Sequence, residues 1–142
     1  MEAVEQETRA VAGRWFDALG RHDGAAALAV LADDVEWINN PAVKGLSDVI
    51  PWLGVYHGRE AVLGTFTIWA ALSEVKEFEL LDLFVKGNDA LAIVHEKALI
   101  KTTGKFYDIE FIQRLSVRDG HIARWKSYWD TCKGIVAFRA DL

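Results

Sequence analysis

The sequence of 142 residues contains one cysteine, one methionine and two prolines, and it has no long uninterrupted apolar run. A single cysteine, Cys132, excludes a disulfide within the chain and any zinc cluster built from several cysteines. No apolar stretch approaches the roughly 18 residues that a membrane-spanning helix needs, so we expect no membrane partner. Because the first ten residues are acidic and polar, unlike a signal peptide, we expect a cytoplasmic protein.

Positive charge is also scarce, since 16 Lys and Arg stand against 21 Asp and Glu for a net charge of −5. Nucleic-acid binding rests on clustered positive charge, so the sequence predicts no nucleic-acid partner. Apolar residues make up 51% of the chain, which is enough for a folded core and excludes a disordered chain. No linker or repeat divides the sequence, and we expect residues 1–142 to form a single domain.

Aromatic side chains are the abundant class, with six Trp, seven Phe and three Tyr. Each Trp must bury a large ring and also find an acceptor for its indole N–H group. Six of them in a chain of this length either fill the core or line a cavity, and the composition leaves both interpretations open.

Hydrophobic periodicity predicts three helices in the first half of the chain. Apolar residues spaced by three or four predict a helix over residues 2–20. Asp23 is placed to cap a second, alanine-rich helix that runs to about Leu31, and a third helix begins at Gly58. Residues 42–57 have the glycine and proline content of a loop.

Strands dominate the rest of the predicted structure. Residues 35–39 alternate as a short strand, and glycine-containing turns typical of hairpins separate four longer strands. The longer strands are predicted over residues 75–86, 90–102, 106–117 and 121–129. This order predicts an α+β fold, in which three N-terminal helices cover one face of a cone-like, curved, mostly antiparallel sheet and leave a cavity between them.

Residue parity identifies the side chains that face this cavity, because side chains alternate between the two faces of a strand. If the apolar sets point inward, a few polar side chains share the cavity with aromatic walls. The polar set is Asn39, Glu96, Gln113 and Ser127, and the walls are Trp37, Phe111, Trp125 and Trp129.

Glu96 is the most informative of these residues because it is the single carboxylate among aliphatic neighbours. Burial removes hydration from a carboxylate, raises its pKa and makes it usable as an acid or base near neutral pH. One alternative is a structural ion pair with Arg14 or Lys97, and another is an outward-facing, solvated Glu96.

A second candidate for proton transfer is His57, which precedes the third predicted helix with Tyr56 beside it, at the expected mouth of the cavity. A position at a helix N-terminus favours the neutral imidazole. A solvated surface histidine is the alternative interpretation. The four histidines are scattered without carboxylate partners in the cavity, so we expect no metal site. The sequence has no phosphate-binding glycine loop or dinucleotide fingerprint, so we expect no cofactor.

Three segments give the chain a family resemblance that covers nearly its whole length. They are residues 32–37 (ADDVEW), 56–62 (YHGREAV) and 119–130 (DGHIARWKSYWD). Together with the order of elements, they resemble the nuclear transport factor 2-like (cystatin-like) superfamily, and within it the SnoaL-like polyketide cyclases and limonene epoxide hydrolase. The superfamily holds isomerases, dehydratases, cyclases, hydrolases and binding proteins, so the resemblance implies a fold more firmly than a function.

The catalytic residues of these relatives are matched only in part. Residues 37–41 (WINNP) are similar to the aromatic-x-Asn-x-Pro segment that helps to hold the hydrolytic water in limonene epoxide hydrolase. The Asp–Arg–Asp set of that hydrolase falls on Ser127, Val94 and Glu96. The acid/base aspartate of the SnoaL-like cyclases also falls on Ser127, so the resemblance leaves Glu96 as the one carboxylate.

A comparison with bacterial ketosteroid isomerase places Trp15 at the tyrosine position, and Asn39 and Gln113 at two aspartate positions. We therefore expect a cofactor-independent acid–base enzyme, in which Glu96 moves a proton of a small, apolar, ring-containing substrate. One alternative is an epoxide hydrolase-like enzyme with an altered catalytic set. Another is a non-catalytic domain that binds a small ligand or a partner chain.

The opposite face of the predicted sheet is unusually apolar for a solvated surface. It carries Leu91, Ile93, His95 and Leu99. An apolar sheet face of this kind is typical of a subunit interface, and many members of the resembled superfamily dimerise. We therefore expect a homodimer.

Overall fold

Residues 2–142 are described by a computed structural model, and they form four α-helices, one 3-10 turn and six strands. The helices are α1 (Glu2–Gly20), α2 (Gly24–Val30), α3 (Arg59–Leu72) and α4 (Thr131–Phe138), and the 3-10 turn is Ser47–Val49. The strands are β1 (Leu31–Asn39), β2 (Gly54–His57), β3 (Ser73–Lys86), β4 (Asp89–Ile100), β5 (Phe106–Arg118) and β6 (His121–Tyr128).

The six strands form one curved sheet in the order β2-β1-β6-β5-β4-β3. Every neighbouring pair is antiparallel except β1 and β6, which are parallel. Gly87 and Gly120 have φ angles of 59° and 75°, a conformation that glycine adopts without steric cost, and they sit in the turns between consecutive strands. The α+β prediction and the mostly antiparallel sheet are confirmed.

The three predicted N-terminal helices are present, and their apolar stripes face the sheet. The side chains of Val11, Trp15 and Phe16 on α1 are buried. Asp23 caps α2, since its carboxylate accepts a hydrogen bond from the backbone N–H of Ala26 at 3.0 Å.

The predicted number of helices was too small by one, because the chain ends in a fourth helix, α4. Asp130 caps this helix by accepting a hydrogen bond from the backbone N–H of Cys132 at 3.0 Å. A helix of eight residues is barely two turns long, so its apolar spacing is too short to stand out as a helical period.

The region predicted as a loop also differs from the structure. Residues 42–57 contain the 3-10 turn and strand β2, which pairs with β1 through Tyr56 and Trp37. Four residues beginning with glycine give too little alternation to identify a strand. Strand β1 begins at Leu31, earlier than predicted, and its pairing with β6 is irregular between Leu31 and Glu36.

The hydrophobic core lies between the inner face of the sheet and the helices. Val94, Ala98 and Ile100 of β4 are fully buried, and so are Val35 of β1 and Leu115 of β5. No helix among the described residues is long and apolar enough to cross a membrane.

Candidate active site

A cavity of about 510 Å³ opens between the inner sheet face and helices α1 and α3. Its volume is in the range of small-molecule sites in proteins. All six tryptophans of the chain line it: Trp15, Trp37, Trp52, Trp69, Trp125 and Trp129. The question that composition left open is therefore settled, because the tryptophans that pack the core also form the cavity wall.

The centre of this wall is a stacked pair of indoles. Trp37 and Trp125 occupy paired positions on β1 and β6, and their rings lie 3.7 Å apart and within 7° of parallel. Trp15 from α1 and Phe66 from α3 meet Trp37 edge-on, at 5.8 and 5.7 Å. Stacked and edge-to-face contacts are both favourable, so the four rings stabilise one another in the wall.

Glu96 lies in the cavity, as its parity on β4 predicts, and only 7% of its surface is exposed. The hydroxyl of Tyr107, on the neighbouring strand β5, donates a hydrogen bond of 2.5 Å to Glu96 Oε1. The indole nitrogen of Trp69, from α3, donates in turn to the Tyr107 hydroxyl at 3.3 Å. A chain of donors thus runs from the helix across the cavity wall to the carboxylate.

Burial raises the pKa of Glu96 to about 7, against the opposing effects of the Tyr107 hydrogen bond and of His95. Burial and the neighbouring Glu96 also raise the pKa of Tyr107 well above its ordinary value, so the phenol stays protonated and donates. A carboxyl group whose pKa lies near neutral pH exchanges protons readily in both directions. Glu96 is therefore equipped for acid–base chemistry.

The structural ion pair considered for Glu96 is not formed. Within residues 2–142, no Lys or Arg side chain lies within salt-bridge distance of this carboxylate. Arg14 instead donates to the backbone carbonyl of Gly120, and Lys97 lies over the Phe106 ring at 5.1 Å. No Lys or Arg ion pair therefore offsets the effect of burial on the pKa of Glu96, and only the Tyr107 hydrogen bond and His95 oppose it.

A row of polar side chains crosses the sheet at another level of the cavity. Asn39 on β1 pairs with Ser127 on β6, which pairs with Gln113 on β5. Gln113 and Ser127 are buried, and Ser127 donates a hydrogen bond of 2.9 Å to the side-chain oxygen of Asn39. All three line the cavity, as predicted from parity.

Trp129, the residue between β6 and the cap of α4, joins this row. The indole nitrogen of Trp129 donates to the side-chain oxygen of Asn39 at 3.1 Å. A Cβ atom at Gly134 would lie 2.8 Å from Trp129 Cη2, so only glycine lets α4 approach the indole this closely. Phe111, the remaining aromatic residue predicted from parity, also lines the cavity.

The predicted residues His57 and Tyr56 do not join this group. His57 ends β2, is exposed and pairs with Glu36 rather than facing the cavity. The Tyr56 hydroxyl donates to the backbone carbonyl of Leu53 at 2.9 Å, and its ring lies outside the cavity lining. Strand β2 is at the edge of the sheet, and neither β2 nor the first turn of α3 contributes to the cavity lining.

Sequence reasoning missed the residues that contact Glu96. It also missed Trp69, which lines the cavity and donates a hydrogen bond to Tyr107. Tyr107 has inward parity, but its contact with Glu96 depends on register, since it is paired with Ala98 and reaches Glu96 diagonally. Alternation along β5 could have marked Tyr107 as a candidate, whereas nothing in the sequence indicates where α3 places Trp69.

The described residues also limit what the site can hold. Among them, no group of three or more His, Cys, Asp or Glu side chains is arranged to bind a metal ion. The polar groups that β1, β4, β5 and β6 contribute to the cavity are one carboxyl, one phenol, one hydroxyl and two amides, which suit hydrogen bonding and proton transfer. The lining also includes His22, Asp23, Glu74 and Lys101, which are exposed or half-buried.

Comparisons with known proteins agree with this architecture. Residues 12–125 match the SnoaL-like domain family, and no curated protein matches the chain in sequence. A nuclear transport factor 2-like protein from Burkholderia xenovorans is 23% identical, with a TM-score of 0.80 over 95% of this chain and 98% of that one.

Two further solved structures have the same fold. A protein assigned as a SnoaL-like polyketide cyclase, from Mesorhizobium loti, is 21% identical, with a TM-score of 0.70 over 84% of this chain and 97% of that one. TerC, co-crystallised with polyporic acid, is 14% identical, with a TM-score of 0.76 over 93% and 98% of the two chains. At these identities the likeness establishes the fold.

Proposed function

The chain belongs to the SnoaL-like domain family, and from this we propose that it is an enzyme that transfers protons on a small, apolar, ring-containing substrate without a cofactor. Isomerisation, dehydration and cyclisation are reactions of this kind. The observation that carries the proposal is the environment of Glu96, a carboxyl in an aromatic cavity with a pKa of about 7 and one phenolic hydrogen bond.

The roles of the other groups follow from their positions. The tryptophan wall excludes water and provides flat apolar surface for a ring system. The Tyr107 hydroxyl positions the Glu96 carboxyl by fixing one of its oxygens and leaves the other available to the substrate. We do not extend the proposal to epoxide hydrolysis, because Ser127 and Val94 stand where the resemblance places a carboxylate and an arginine.

The proposal can be tested without knowing the natural substrate. Proton abstraction next to a carbonyl makes that position exchange with solvent, so the enzyme in D2O incorporates deuterium into a ketone that fits the cavity. A panel of ketones and enones with one to three fused rings, followed by proton NMR and mass spectrometry, provides the readout. Exchange at the buffer rate across the whole panel would favour the non-catalytic, ligand-binding alternative.

Replacing Tyr107 by phenylalanine tests whether this residue positions Glu96. The Tyr107 hydrogen bond lowers the pKa of Glu96, so Tyr107→Phe raises that pKa above 7. We expect the midpoint of the acidic limb of the pH–rate profile for deuterium exchange, where Glu96 becomes the carboxylate that accepts the proton, to rise by about one pH unit, the worth of one hydrogen bond to a charged group.

The matched control for this substitution is Tyr128→Phe, which removes an exposed hydroxyl at the end of β6. It should leave the midpoint unchanged. A Tyr107→Phe variant with a lower maximal rate but an unmoved midpoint would mean that Tyr107 only packs against its neighbours.

We also propose that the chain forms a homodimer through the outer face of the sheet. Paired residues Phe84 and Leu91 on β3 and β4, and Ile93 and Ile112 on β4 and β5, form a continuous apolar strip there. Phe84, Leu91 and Ile112 are 54%, 42% and 37% exposed, which is costly for a solvated surface. Two copies related by a twofold axis would bury the same strip on both sides.

Light scattering at micromolar concentration checks this assembly. We expect twice the chain mass for the wild type and the mass of a monomer, 15.9 kDa, for Ile112→Glu. Ile68→Glu, at a similarly exposed position on α3 (39%), is the control and should remain dimeric. A monomeric wild type would disprove the proposed interface.

A further inference from the structure

The two amides of the cavity, the buried Gln113 and the half-buried Asn39, are held in one orientation by the groups around them. Gln113 Oε1 accepts hydrogen bonds from the indole nitrogens of Trp15 at 2.9 Å and Trp125 at 3.0 Å. An indole nitrogen only donates, so the amide oxygen must face both rings. The amide NH2 group of Gln113 must therefore point away from them.

Asn39 is fixed by the same logic. Its side-chain oxygen accepts from the indole nitrogen of Trp129 and from the Ser127 hydroxyl. With both lone pairs of this oxygen occupied, the NH2 group is the part of the Asn39 side chain left to interact with anything else.

Both NH2 groups remain available as donors. Neither amide nitrogen donates a hydrogen bond to another group among residues 2–142. Among residues 2–142, the only side-chain nitrogen or oxygen that is both fully buried and without a hydrogen-bond partner is Trp37 Nε1. The amide nitrogens of Asn39 and Gln113 have no partner either, so they cannot be fully buried and must face the open cavity. Unpaired donors beside an aromatic wall cost free energy until an acceptor arrives.

The position of these donors relative to Glu96 gives the site a direction. Gln113 and Asn39 flank Ser127 in one row across the sheet, whereas Glu96 is paired with Ile109, four residues before Gln113 on β5. Four residues of strand span about 13 Å. One level of the cavity therefore offers donors, and another offers the carboxyl group.

We infer that the cavity selects a flat ligand with a hydrogen-bond-accepting oxygen, a carbonyl or an oxyanion, that is held by the amide N–H groups of Asn39 and Gln113 while its ring system extends toward Glu96. This inference rests on the proposed function in taking the cavity as the substrate site. It adds the polarity and the orientation of the substrate: the oxygen held by the amides is a recognition group, distinct from the carbonyl next to which Glu96 removes a proton, because about 13 Å of strand separates the two levels. A ligand with only donors at that end, or with no polar atom there, leaves the two amides unpaired and binds less well.

A pair of matched ligands tests the inference by binding alone. The probes are 2-acetylnaphthalene and 2-ethylnaphthalene, which differ in the acceptor oxygen, titrated by isothermal calorimetry at pH 8. Asn39→Asp and Gln113→Glu keep an oxygen for the indoles but replace the NH2 donor by a second acceptor. We expect at least one variant to bind the ketone about tenfold more weakly and the hydrocarbon within twofold of the wild type.

The neighbouring amide provides the control. Asn40 donates to the backbone carbonyl of Trp129 at 3.3 Å and does not line the cavity, so Asn40→Asp should change neither affinity. Circular dichroism confirms that each variant is folded. Equal losses for both ligands, or unchanged ketone binding in both cavity variants, would overturn the inference.

The same data separate this inference from the proposed function. Selective loss of ketone binding, together with exchange activity that is insensitive to Glu96→Gln, would support the donor row and reject Glu96 as the acid or base. Equal binding of the ketone and the hydrocarbon, together with exchange that requires Glu96, would support Glu96 as the acid or base and reject the donor row.

Discussion

Glu96→Gln lowers the rate of substrate proton exchange by about two orders of magnitude or more, while the affinity for ketone ligands changes little. Glutamine keeps the shape of the side chain and the oxygen that accepts from Tyr107, but it cannot take up and return a proton. The substitution therefore removes one step of the reaction and leaves the aromatic walls of the cavity in place.

Two measurements make this result specific. Deuterium incorporation is followed at pH 7 to 8, and ligand affinity is measured by calorimetry on the same protein preparations. Glu110→Gln is the control, because Glu110 is an exposed carboxylate on the neighbouring strand β5 and should leave the exchange rate unchanged. A folded Glu96→Gln variant with wild-type exchange would remove Glu96 from the mechanism.

Alternation along strands was enough to predict the part of the cavity that β4, β5 and β6 form. The inward positions of Glu96, Gln113, Ser127 and Trp125 follow from a period of two, because the inward set of each strand is almost free of charge whereas the outward set mixes charged with apolar residues. Parity is a local property, and a regular strand preserves it. The predicted cavity residues on β4, β5 and β6 were found where this simple rule placed them.

The contacts across the cavity could not be predicted in the same way. Trp69 meets Tyr107 only because α3 packs over the sheet at a particular position, and Tyr107 meets Glu96 only through the register of β4 and β5. His57 was misplaced for a related reason, since its apparent position at the mouth assumed that residues 54–57 form a loop. Register, helix packing and short edge strands are set by the whole structure rather than by neighbouring residues.

The two hydrogen-bonded amides illustrate a further limit. Composition correctly raises the question of how six indole N–H groups find acceptors. The answer, that Gln113 serves two indoles and Asn39 a third, depends on distances between four separate elements. The sequence therefore indicates that acceptors are required, while only the structure identifies them.

The same Glu96→Gln substitution that removes catalysis should stabilise the protein above neutral pH. Burial raises the pKa of Glu96 from 4.5 to about 7, so the folded state holds this proton more tightly than the unfolded state does. Below pH 4.5 Glu96 is protonated in the folded and the unfolded state, so its burial then costs no free energy of ionisation. The free energy of unfolding falls as pH rises from 4.5 through about 7. In that range folding requires Glu96 to take up a proton, and above it folding buries the carboxylate without an ion-pair partner.

Glutamine is neutral at every pH, so the variant avoids this loss. We expect wild type and Glu96→Gln to have similar free energies of unfolding near pH 4.5, and the variant to be more stable by up to about 3 kcal/mol at pH 8, from the size of the pKa change. Urea unfolding at a fixed protein concentration across this pH range measures the difference, with Glu110→Gln as the control substitution at an exposed position. A difference that does not change with pH, or a wild type that is the more stable protein at pH 8, would mean that burial does not raise the pKa of Glu96 in the folded protein. The expected pattern, in which the residue that destabilises the fold at working pH is also the one required for proton transfer, separates an active-site carboxyl from a structural one.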